Sequence, residues 1–166
     1  MASNLNGLGK YCSKINQSGI IKLEYAAITD IDRSAWSPLR SSNNNHSTDI
    51  VFNSGGWHAI KILPTKKIWR ETPRSTKQGI TYDQSIRAIL PGLQPSASGE
   101  LERTATHRFI LRINDISGQP WILGSPERPF SFQCTGTTGE NGSLKHHVIE
   151  FSAISLRKAA GFIPVM

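Results

Sequence analysis

The sequence predicts a mainly β chain: an antiparallel β-sandwich or partly closed β-barrel with one short flanking α-helix and a long projecting hairpin. Three observations carry that expectation. Apolar and polar residues alternate with the two-residue period of a strand, most clearly over residues 80–90, 109–114 and 145–154. Turn-forming clusters of Gly, Pro, Asn and Asp punctuate these runs at short intervals, giving about eight strands. Only residues 100–106 read as a helix. Short strands at such spacing favour two packed layers around one core, and 166 residues suit a single domain that needs no staple.

In chain order, residues 1–19 show no period and read as an N-terminal arm. Residues 20–28 are the first strand, with Ile21, Leu23 and Tyr25 on one face and Lys22 and Glu24 on the other. The polar run 34–49, with Pro38 and an Asn43-Asn44-Asn45 tract, reads as a long loop. Residues 50–63 predict a hairpin folded about Asn53-Ser54-Gly55-Gly56. A strand from Ile68 to Glu71, a basic turn over 72–79 and a strand over 80–90 predict a second hairpin. Its tip carries Arg74 and Lys77 and projects beyond a small sheet. Ser98 stands where an N-cap precedes Glu100 and Glu102, early acidic residues that suit the helix dipole.

The stretch FILRINDISGQPWILGSPERPFSF, residues 109–132, has the clearest pattern. Phe109, Leu111 and Ile113 lead to an Asn-Asp-Ile-Ser-Gly turn, Trp121-Ile122-Leu123 returns, and Phe130, Phe132 and Cys134 alternate again. A glycine-rich loop over 135–142 leads to the last core strand, where His147, Ile149, Phe151 and Ala153 share a face. Residues 156–166 form a tail containing Phe162 and Ile163.

Charge narrows the partners. Nineteen basic against twelve acidic residues give +7, and residues 61–112 hold ten basic and four acidic residues, or +6. Such a stripe suits a nucleic-acid footprint, an acidic partner or a solvated surface. Met1 to Lys10 is polar, so no signal peptide is expected, and no apolar run is long enough to span a bilayer. Cys12 and Cys134 read as two reduced thiols.

Chemistry-bearing motifs are sparse. His146 and His147 are neighbours on a strand and point to opposite faces, and His46, His58 and His107 have no metal-ligand spacing. The loop GTTGENG continues into a strand where a phosphate-binding loop continues into a helix. No Ser stands in a nucleophile elbow, and the carboxylates are scattered. No catalytic residue, cofactor or metal site is assigned. One binding pattern stands out: Trp57, Trp69, Arg70, Arg74, Lys77 and Arg87 interleave aromatic and basic residues, as small barrels that stack single-stranded nucleic acid do.

The order of a basic hairpin, a short helix, then the 109–132 stretch, TGTTGENG and the closing HVIEFSAIS resembles small virion proteins of tailed bacteriophages, the tail-tube type and its relatives. The resemblance is strongest over residues 108–154. It implies a structural protein rather than an enzyme: a β-sandwich with a flanking helix, made in the host cytoplasm. Such proteins assemble with copies of themselves into usually hexameric rings around a channel that passes genomic DNA. Other tail proteins would be further partners, the virion the location, and no membrane is involved. On that reading Asn43, Asn44, Arg70, Arg74, Lys77, Phe162 and Ile163 would meet neighbouring subunits. A basic chain departs from a tube whose lumen lets DNA slide, so its charge faces outward or the protein is a tail-completion or baseplate relative.

Overall fold

A computed structural model describes residues 19–36, 45–46, 50–63, 67–92, 95–137 and 146–162. Among these residues ten strands and one helix follow in the order β1 (Ile20–Ala27), β2 (Asn45–His46), β3 (His58–Ile60), β4 (Ile68–Thr76), β5 (Gly79–Pro91), α1 (Pro95–Ala105), β6 (Phe109–Asp115), β7 (Pro120–Leu123), β8 (Ser131–Thr137), β9 (His146–Ser155) and β10 (Ala160–Phe162). They form two sheets, one ordered β2-β10-β7-β6-β1-β3 and the other β4-β5-β9-β8. All pairings are antiparallel except that of β2 with β10. The sandwich expectation holds; among the described residues the sheets do not close into a barrel.

The main core lies between the sheets because alternation turns one face of each strand inward. Leu23, Leu111, Ile113 and Leu123 come from the larger sheet, and Ile86, Ala88, Phe132, Ile149 and Phe151 from the smaller. Phe109, Phe132 and Phe151 meet ring to ring at 4.9–6.4 Å. Burying each contributes roughly 1.5–3 kcal/mol. Helix α1 packs against β8 and adds Leu101 and Ala105 to the rim of this core.

The unit 109–132 folds as its pattern predicts, and the turn shows why. Asp115 accepts hydrogen bonds from Gln119 N at 2.9 Å, Trp121 Nε1 at 3.1 Å and the Ser117 hydroxyl, while Gly118 adopts φ 81°. Burial alone would raise the Asp115 carboxyl; these donors outweigh it and hold the group below the ordinary carboxylate value. The inward set His147, Ile149 and Phe151 on β9 is also as expected, with Ala153 partly buried beside it.

Several expectations are corrected. A β-bulge between Ile20 and Lys22 shifts the register, so Ile20 enters the core and Ile21 is 58 % exposed. Residues 50–63 do not form their own hairpin. Phe52 bridges Ile31 and β3 pairs with β1, because Ile31, Ile50, Phe52 and Trp57 fold over the outer face of the larger sheet. There they cover Ala26, Ile110 and Ile122 in a second, smaller core. The expected turn 72–79 is mostly strand, with β4 running to Thr76 and only Lys77-Gln78 turning. Helix α1 starts at Pro95, which places Ser98 inside it rather than at its cap. The loop 34–49 contains β2 and the tail 156–166 contains β10.

Candidate functional site

The outer face of the smaller sheet follows from its register. Arg70, Ser85, Ser152 and Ser131 stand in line across β4, β5, β9 and β8, and Thr72, Asp83 and Ile154 form the adjacent row. Three serines in one row leave a trough, because their side chains are short. Ser131 Oγ lies 3.1 Å from both the Ser152 carbonyl oxygen and Oγ, so two of the floor's hydroxyls are paired. Arg70 and Arg74 border the groove on β4, and Arg108 and Arg128 border it from the segments before β6 and β8. The open groove has a volume of about 800 Å³.

Its electrostatics are uneven. Arg74 pairs with Asp83 at 2.8 Å in a solvated geometry worth little to stability. Arg70, Arg108 and Arg128 make no ion pair among the described residues. Glu127 also borders the groove, so four arginines face two carboxylates, a local charge of 4 − 2 = +2. Guanidinium groups around hydroxyls can hold phosphate or carboxylate oxygens.

The β4–β5 hairpin is the other exposed feature. β9 pairs with β5 only from Tyr82 onward, so Arg74–Thr76 and Gly79–Thr81 have strand partners only in each other. Three residue pairs and the Lys77-Gln78 turn project about 10 Å past the sheet. Ile80, Ile154 and Leu156 lie at that end, each more than half exposed.

The structure brings together Arg70 and Arg74, sets Arg87 one row away opposite Glu150, and places Lys77 at the hairpin tip. It separates the tryptophans from them. Trp69 faces between the sheets, its ring 5.6 Å from that of Trp121. Trp57 lies on the outer face of the larger sheet, 5.8 Å from the Phe52 ring and 4.6 Å from the Arg112 guanidinium. Asn43, Asn44, Ile163 and Cys12 lie outside the described residues, as does most of GTTGENG, and Phe162 is described only as the end of β10.

Arg128 and the serine row escape sequence reasoning because they depend on which strands pair and in what register. Another pairing has the same origin: His147, buried on β9, puts Nδ1 3.6 Å from Cys134 Sγ on β8. Burial raises the Cys134 thiol above its ordinary value, away from the reactive thiolate. Among the described residues no three His, Cys, Asp or Glu side chains converge as metal ligands, and no helix is long and apolar enough to cross a membrane. No family model, curated protein or solved structure matches this chain.

Proposed function

We propose that this chain is a structural subunit that assembles with copies of itself into rings or a tube, as a tail protein of a bacteriophage virion. The role is non-enzymatic. Its partners are identical subunits, other tail proteins and genomic DNA that passes without sequence-specific recognition. The observation that carries the reading is the β4–β5 hairpin overrunning its sheet, with Ile80, Ile154 and Leu156 exposed at the same end. Exposed apolar side chains at one end of the sheet, Ile80 on the projecting hairpin and Ile154 and Leu156 at the end of β9, gain burial only against a neighbour. The two-sheet sandwich with one flanking helix is the architecture that the resemblance implies. A ring built with the arginine groove outward keeps that charge away from a DNA channel.

The groove itself favours a second reading, binding of single-stranded nucleic acid. With Trp57 and Trp69 placed elsewhere, phosphate contacts from Arg70, Arg108 and Arg128 would carry it without base stacking. Negative-stain microscopy with oligonucleotide titration at several salt concentrations separates the two. Rings with little oligonucleotide affinity at moderate salt support assembly; a monomer whose affinity falls steeply with salt supports the second reading.

A further inference from the structure

Neither proposed role uses the cleft between α1 and strands β1 and β3. It consists of two cavities, of about 340 Å³ and about 180 Å³, that share Tyr25, Glu100 and Thr104 as lining residues. The larger is an apolar chamber of Leu90, Leu101, Phe132, Ile149 and Phe151. The smaller is of mixed lining, with Asp30, His58, Arg103 and His107 beside Ala27 and Phe109. An apolar chamber opening onto a few polar groups, with a combined size in the range of small-molecule sites, is the form such sites take.

The charges in the smaller chamber choose the ligand. Glu100 and Arg103 lie 3.5 Å apart and offset each other. Asp30 accepts a hydrogen bond from the Thr29 hydroxyl at 3.2 Å and makes no ion pair among the described residues. Its second oxygen, Oδ2, faces Gly55, where a Cβ would come within 3.2 Å of it. With histidine counted neutral, the chamber carries one unbalanced negative charge. The Tyr25 ring borders both chambers and meets the His58 ring and, edge to face, the Phe109 ring, each at 5.4 Å. Burial and the Glu100 carboxylate raise the Tyr25 phenol, which keeps it neutral. Lys61, which is exposed, borders only the larger chamber.

We propose that this cleft binds a small amphipathic amine, its apolar body in the Leu101 chamber and its ammonium group beside Asp30 in the smaller chamber. The carboxylate supplies the counter-charge.

Isothermal titration of the full chain with 4-phenylbutylamine, and with 4-phenylbutyrate as the anion of matched shape, tests it. The amine is expected to bind saturably at one site, at least about tenfold more tightly than the anion. Asp30→Asn should abolish that preference, and Leu101→Trp, which fills the chamber, should abolish binding. If Leu101→Trp does not fold, Thr104→Met narrows the junction and should weaken the amine by at least about tenfold. Absence of saturable amine binding, anion binding as tight as the amine's, or a preference unchanged in Asp30→Asn would each overturn the proposal.

Discussion

Arg112 on β6 donates its Nε hydrogen to Glu24 Oε2 on β1 at 2.7 Å, directly across the strand pair and under the Trp57 ring. Lys22 reaches the other oxygen at 2.8 Å from a half-exposed position. Burial alone would raise the Glu24 carboxyl, but the hydrogen bonds and charges of Arg112 and Lys22 outweigh it and hold the group below its ordinary value. Arg112→Met therefore leaves a buried carboxylate with only its exposed partner, and a loss of about 3 kcal/mol is expected in urea unfolding.

The same pair sets an acid limb. A depressed folded value gives stability that is fully present above the unfolded value and is lost as pH falls through the folded one. Glu24→Gln should flatten that part of the stability–pH curve, measured as melting temperature between neutral pH and the acid range. A wild-type slope retained in Glu24→Gln would assign the limb to other carboxylates, Asp115 first.

The bulge in β1 makes adjacent isoleucines unequal. Ile20 is 6 % exposed and Ile21 is 58 % exposed. Ile20→Ala should cost about 2–3 kcal/mol in chemical denaturation, and Ile21→Ala within about 0.5 kcal/mol. The reverse ranking would restore the simple alternation and remove the bulge.

Core and hairpin should respond differently. Phe151, 1 % exposed and in ring contact with Phe109 and Phe132, should lose about 3–5 kcal/mol on replacement by Ala. Ile80→Ala, on the projecting hairpin, should change folding stability by less than about 0.5 kcal/mol. Matched unfolding curves of the two variants check the contrast.

Much of the sandwich is legible in the sequence because two-residue periodicity reports which face of a strand is dry. That signal places Leu111, Ile113, Ile149 and Phe151 in the core, and the turn chemistry of Asp115 and Gly118 joins β6 to β7. It fails where a non-local contact decides. The bulge at Ile20 depends on pairing with Asp115 and Asn114, and residues 50–57 are drawn across the larger sheet by Ile110 and Ile122 instead of pairing locally. The candidate surfaces are less legible. Arg70 and Arg74 stand out by charge, but the serine row and the Asp30–Tyr25 cleft exist only through register and packing. Interleaving of Trp57 and Trp69 with basic residues suggested a shared face, yet the two rings lie on different sheets.

The central claim, assembly through the projecting hairpin, is tested most directly by the mass of the full chain in solution. It should be measured by size-exclusion chromatography with light scattering, with the peak imaged by negative stain. The wild type should elute as a ring-sized oligomer, and an Ile80→Asp, Ile154→Asp double variant should run as an 18.3 kDa monomer with an unchanged fold by circular dichroism. An 18.3 kDa wild-type species at every concentration, without rings, or rings undisturbed in the double variant, would contradict it.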